Sequence, residues 1–334
     1  MARDSRITSD IDFDLPGKQL SFLRLPHSVH RSAYGYIAIP IVVINNGSGP
    51  SVLITAGNHG DEYEGQLTVM KLSQEVQADE VQGRLILVPS LNFPAATAGL
   101  RTSPIDGLNL NRSFPGDPDG QPTAAIAHYA ETVLLTVADY AMDLHSGGSS
   151  LLYLPSALAR VPLDDQLAAT QQDMLKAFAA PISYQVAGRG EDRTMIAAAT
   201  RAGVAIIGTE LGGAGGTTVH SLAVAESGVR RVLKHLGSVP EINVSPAEND
   251  TRFMEVGGAE YYVYSPEYGI WEPLAELGDE VSEGQPAARV YCPETPWREP
   301  LEVNFERSGH VICKRVPGGV HRGDCLFHLA TDVA

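Results

Sequence analysis

The chain has 334 residues, 43% of them hydrophobic and 19% charged, a composition that suits a globular protein with a sizeable core. Its formal net charge of −16 argues against nucleic acid or an anionic membrane surface as the main partner, because both recruit basic surfaces. The length allows one large domain or two.

Residues 1–50 read as β-structure with turns. SFLRL and YIAIPIVVI are apolar, and Asn46-Gly47 is a strong turn signal ahead of the next run. Val52-Leu53-Ile54 predicts a buried strand that ends in Ala56-Gly57-Asn58, and His59, Asp61, Glu62 and Glu64 follow within six positions. In an open α/β sheet, ligands sit beyond the carboxyl ends of the strands, so this loop is the first candidate site. Leu67, Met70, Leu72 and Val76 recur near a helical period over 66–77, and a second buried strand is expected over 84–89.

Residues 91–122 are rich in Pro, Gly, Asn and Asp and too long for a simple connection, which points to a functional loop. A helix is predicted over 124–138, then a strand, Tyr140 to Leu144, that ends in His145-Ser146-Gly147-Gly148. Helices over 165–179 and 194–202 precede a strand over 203–209 that ends in Glu210-Leu211-Gly212-Gly213, and a last helix spans 221–236. The alternation predicts an α/β fold with a mixed sheet flanked by helices.

Turn residues concentrate over 240–250, which places a boundary between a domain over 1–245 and a smaller one over 246–334. The second has short alternating strands and Gly-Asp turns, the pattern of a small all-β, barrel-like unit. The spacing of Gly278-Asp279, Gly284-Gln285 and Gly323-Asp324 resembles the lipoyl or biotinyl barrel, yet residues 291–309 contain no carrier lysine, so a structural role is expected. Three cysteines, Cys292, Cys313 and Cys325, fit a reducing compartment better than a disulfide framework. The start of the chain lacks the apolar core of a signal peptide, and no run reaches the roughly 18 apolar residues of a membrane span, so a cytoplasmic protein with no membrane partner is expected.

Three predicted strands deliver ligand or acid/base residues to one edge: His59 with Glu62, His145, and Glu210. Two histidines and a carboxylate form the protein ligand set of a catalytic zinc, with one position kept for water. Glu210 is then available as a general base. Each residue also has a plainer reading: a hydrogen-bonded core histidine for His145, or a helix N-terminal carboxylate for Glu210. The glycines after each strand end, which let backbone pack closely around a small site, favour the metal reading. Asn109, Asn111, Arg101 and Arg112 form a second group in the long loop. An arginine fork suits a carboxylate ligand, while the plain alternative ties Arg112 to a surface acid.

The stretches GNHGDEYEG, DGLNLNRSFPG, DLHSGG and TELGG, in that order, resemble the succinylglutamate desuccinylase and aspartoacylase family, a branch of the zinc carboxypeptidase fold. The resemblance implies one zinc ion held by His59, Glu62 and His145, with Glu210 as base and proton shuttle. It further implies that Asn111 and Arg112 hold a substrate α-carboxylate and that Arg101 polarises the scissile carbonyl. The implied substrate is a small N-acyl amino acid. RTSPIDGLNLNRSFPGDPDG with GNHGDEYEG is most similar to members that convert N2-acetyl-L-2,4-diaminobutyrate to L-2,4-diaminobutyrate and acetate in ectoine degradation. A free γ-amine would need an acidic partner, for which Asp117, Glu191 and Asp192 are available. The rivals are an aspartoacylase-like or succinylglutamate-type deacylase, with Arg189 or Arg193 meeting an extra carboxylate, and a non-catalytic zinc protein. Assembly into a homo-oligomer is left open.

Overall fold

The computed structural model describes residues 5–160, 164–186, 191–247 and 250–333. Strands β1 (Gly17–Pro26) and β2 (Tyr36–Asn46) pair antiparallel along their length. β3 (Ser51–Ala56) follows, then α1 (Tyr63–Glu75), which crosses back to β4 (Gly83–Val88) lying parallel to β3. The long segment beyond β4 is not structureless. It holds the short helix α2 (Phe93–Ala98) and a 3-10 turn over Leu110–Arg112 before α3 (Pro122–Tyr129) begins.

β5 (Tyr140–Leu144) leads to two short strands, β6 (Leu151–Tyr153) and β7 (Ser156–Arg160). They are followed by α4 (Asp165–Phe178), β8 (Ile182–Val186), α5 (Met195–Ala202), β9 (Ala205–Glu210) and α6 (Val219–His235). The last part of the chain holds β10 (Arg252–Val256), β11 (Tyr262–Tyr264), β12 (Gly269–Pro273), β13 (Glu280–Val281) and β14 (Pro286–Tyr291). It ends with β15 (Leu301–Asn304), β16 (Gly309–Arg315), β17 (Gly319–Val320) and β18 (Cys325–Asp332).

The main sheet runs β1-β2-β4-β3-β5-β9-β7-β8-β10-β18-β16-β13, with β6 added to β16 and β11 to β18. It is mixed: β3 is parallel to β4 and β5, and β5 to β9, whereas β7 and β9 are antiparallel. At its centre β3, β5 and β9 lie side by side, each buried on both faces, which is why each reads as a continuous apolar run. Val52 and Ile54 face one apolar layer with α1, α4 and α6, while Leu53 faces the other with α3 and α5. This is the mixed sheet between helices that the alternation predicts.

The C-terminal strands form a small sheet of their own and also extend the main one. β10 lies parallel to β8, and β6 lies antiparallel to β16, so residues on both sides of the expected boundary share the main sheet. Only β15, β14, β12 and β17 form a second, four-stranded sheet. A third apolar cluster joins Ile182 and Tyr184 of β8 to Trp271, Phe305 and Phe327 of the later strands. No helix among the described residues is long and apolar enough to cross a membrane.

Candidate metal centre and active site

Because β3, β5 and β9 are parallel neighbours, their carboxyl ends open on one edge of the sheet. Gly57 turns the chain there: its φ of +64° is a left-handed conformation, and a Cβ would come within 2.9 Å of the Ser90 backbone. The loop then places His59 before α1 and Glu62 at its N-cap. Gly65 in the first turn lets α1 sit against Leu144, where a Cβ would meet the Leu144 side chain at 2.6 Å. That close approach brings Glu62 to the end of β5, beside His145.

Glu62 stands between the two imidazoles. Its Oε1 is 2.7 Å from His59 Nδ1, and its Oε2 is 2.8 Å from His145 Nδ1 and accepts from the Ser146 N–H at 3.2 Å. The outer nitrogens are also held. His59 Nε2 lies 3.1 Å from Asn109 Oδ1, and His145 Nε2 lies 2.8 Å from Asp143 Oδ2. Asp143 in turn accepts from Thr55 Oγ1 at 2.7 Å and Asn58 Nδ2 at 3.3 Å. Partners on both Nε2 atoms leave Nδ1 of each ring aimed inward, the orientation of a metal-ligating histidine.

The ligand atoms of His59, Glu62 and His145 all lie within 4.8 Å of one another, and the three residues are buried. Two imidazoles and a carboxylate in this arrangement fit a divalent metal, and zinc suits the donor set. The charges fit as well. Burial disfavours ionised Glu62, but the two imidazoles outweigh it and hold the carboxyl below the usual range. Burial likewise opposes charge on His145, yet Asp143 and Glu62 prevail and raise it well above the ordinary histidine value. His59 is pushed down, mainly by burial.

Glu210 closes the end of β9, and burial together with the Glu62 charge raises its carboxyl to about 8. Its Oε2 is buried with no protein partner. Glu210, Arg101, Asn111 and Arg112 line one chamber of about 230 Å3 with His59, Glu62 and His145. Arg101 donates to Glu62 Oε1 at 3.3 Å. Asn111 Oδ1 accepts from the Met195 N–H at 2.9 Å. Arg112 combines both readings open to it: it lines the chamber, and its Nε lies 3.4 Å from Glu191. A larger cleft, about 1120 Å3, lies at the opposite sheet edge around Pro50, Tyr140 and Ala205.

Asp61 and Glu64, from the same loop, serve its neighbours. Asp61 accepts from the Ser149 N–H and Oγ, both at 2.8 Å, and Glu64 from the Gly213 N–H at 3.3 Å, tying the two glycine loops to α1. Of the acids available for an amine, Glu191 forms a paired contact with Arg193, Asp192 pairs with Arg160 at 3.0 Å, and Asp117 accepts from the Asp119 N–H. Arg193 is therefore engaged, and Arg189 lies outside the described residues. Sequence reasoning missed Asp143 and Tyr153. For Asp143 a signal existed, since a carboxylate two positions before a strand-end histidine points to the same side of the sheet.

Residues 48–236 match the model of the succinylglutamate desuccinylase/aspartoacylase catalytic domain. The chain is 42% identical over 328 residues to the N-alpha-acetyl-L-2,4-diaminobutyric acid deacetylase of Halomonas elongata, covering 98% of this chain and 96% of the relative. The product-bound structure of the ectoine utilization protein EutE (DoeB) from Ruegeria pomeroyi is similar at 39% identity and a TM-score of 0.94, covering 98% of this chain and all of that one. A succinylglutamate desuccinylase/aspartoacylase structure from Rhodobacter sphaeroides is similar at 38% identity and 0.93, covering 99% of this chain and all of that one.

Proposed function

The chain belongs to the succinylglutamate desuccinylase/aspartoacylase family, and from that membership we propose that it is a zinc-dependent deacylase converting N2-acetyl-L-2,4-diaminobutyrate and water to L-2,4-diaminobutyrate and acetate. The observation that carries this reading is the whole-length identity with the Halomonas elongata deacetylase. The name of the Ruegeria pomeroyi relative supports a place in ectoine use.

In this reading His59, Glu62 and His145 hold the zinc. When bound, the ion supplies a Lewis acid for the acetyl carbonyl and acidifies a water. Glu210 accepts the proton of the attacking water and returns it to the departing amine, which leaves neutral. Arg101 offsets the negative charge that develops on the carbonyl oxygen. Asn111 and Arg112 take the α-carboxylate, Arg112 through its fork and Asn111 through Nδ2, since its Oδ1 is already bonded to Met195. Anchoring at one end holds the amide in register with Glu210.

We also read residues 1–245 as the hydrolase domain and 246–334 as a β-rich unit of lipoyl-barrel type with a structural task. The separate four-stranded sheet and the lack of lysine over 291–309 support this.

The test is product release by zinc-loaded protein given N2-acetyl-L-2,4-diaminobutyrate, N-acetyl-L-aspartate or N2-succinyl-L-glutamate. Strong preference for the diaminobutyrate compound is expected. Preference for either diacid keeps the deacylase chemistry and removes this substrate.

A further inference from the structure

Four side chains stand next to one another across the C-terminal strands: Tyr262 of β11 opposite His328 of β18, His328 opposite Cys313 of β16, and Cys313 opposite Tyr153 of β6. Directly opposed residues of antiparallel strands project from the same face, so the four form one strip. Its Tyr153 end lines the chamber that contains Glu62, His145 and Glu210.

His328 is the unusual member. It is 4% exposed, and neither ring nitrogen has a protein partner. Tyr262 stacks on it at 4.3 Å and 8°, and Tyr153 and Tyr184 present their rings edge-on at 6.1 and 6.2 Å. Burial holds the imidazole down to about 3, so the ring is neutral and one nitrogen keeps a lone pair. A buried polar group left unpaired costs roughly 1–3 kcal/mol, which a hydrogen-bonding ligand or water would recover.

Charge in the chamber is divided in a matching way. Its arginines, Arg101 and Arg112, both come from the segment between α2 and α3, and Arg193, from the segment before α5, pairs with Glu191 beside Arg112. Anions belong there. The strip adds only tyrosines, a thiol and a neutral imidazole, and the acid whose charge reaches its Tyr153 and Tyr262 is Glu210. A substrate amine placed on this side would meet tyrosine rings and a free lone pair instead of a guanidinium.

We propose that the Tyr153–His328 end of this strip receives the side-chain amine of the substrate, through the imidazole lone pair and the tyrosine rings, so that no dedicated acidic side chain is needed. The inference rests on the deacetylase reading and deepens it. None of Asp117, Glu191 and Asp192 then holds the amine.

The test compares kcat/KM for N2-acetyl-L-2,4-diaminobutyrate with that for N-acetyl-L-norvaline, in which a methyl replaces the amine, using zinc-loaded wild type, His328→Phe and Glu191→Gln. Binding of free L-2,4-diaminobutyrate and L-norvaline is measured calorimetrically on the same proteins. His328→Phe should lower the diaminobutyrate/norvaline ratio by about tenfold or more, mainly through KM, and weaken diaminobutyrate binding relative to norvaline. A milder fall in Tyr153→Phe, which keeps the ring, would support the same assignment. An unchanged ratio in His328→Phe, or a collapse of the ratio in Glu191→Gln instead, overturns the inference while leaving the deacetylase reading in place. Absence of acetate release from either substrate by wild type overturns both.

Discussion

At the scale of single residues, the His59–Glu62–His145 cluster is held by its outer partners as much as by contacts within it. Asp143 is fully buried, lies 2.8 Å from His145 Nε2, and is fixed by Thr55 and Asn58. A carboxylate in that position sets the tautomer of the ring and makes Nδ1 a better donor. Asp143→Asn should therefore lower zinc affinity by about 10–100-fold, read by chelator competition, with the fold intact. Unchanged affinity would show that His145 needs no such support. Glu210 has the opposite problem. With burial and the Glu62 charge raising it to about 8, the carboxyl keeps its proton at neutral pH, and a divalent cation beside Glu62 offsets the charge that holds the proton there. Under the proposed roles, metal binding and the base are coupled through Glu62. That His59, Glu62, His145 and Glu210 come together was legible because each closely follows an apolar run and has a glycine within three positions. Asp143 was harder to see because it lies within the run itself.

At the scale of elements, α4 and α6 cover one face of the sheet behind β5 and β9, and their contact depends on one small residue. A Cβ at Gly228 of α6 would come within 2.4 Å of the Phe178 ring at the end of α4, and that ring is fully buried. Alanine gains about 1 kcal/mol of helix propensity over glycine, but overpacking a closed core costs about 1–3 kcal/mol. With no exposed direction for the ring to take, the clash should dominate. Gly228→Ala should lower the thermal midpoint, and adding Phe178→Leu should restore part of the loss; a midpoint that rises would show that the ring moves freely. The strands β3, β4, β5 and β9 were readable as apolar runs between turn signals. β6, β7 and β8 were not, because Leu151–Tyr153 and Ser156–Arg160 are short and separated by Pro155, and Ile182–Val186 starts only a few residues after α4 ends. The two short helical turns within 91–122 escaped for a similar reason, since each is too brief to show a period.

At the scale of the whole molecule, the C-terminal strands pair with β6, whose Tyr153 lines the chamber. Pairing of β10 with β8 and of β16 with β6 carries the main sheet past the expected boundary and brings His328 next to Tyr153. Local pattern announced these strands as short and alternating, but which partner each would take is a long-range choice that no local period records. One assignment of roles is central to the proposed activity: His59, Glu62 and His145 bind the metal, and Glu210 moves the proton. The most direct measurement is zinc content and acetate release from N2-acetyl-L-2,4-diaminobutyrate for wild type and Glu210→Gln prepared side by side. The roles assigned here predict equal zinc content, about one ion per chain, and a turnover lowered about 10²–10⁴-fold in the variant. Glu210→Gln protein that carries its zinc and still turns over at the wild-type rate would contradict them.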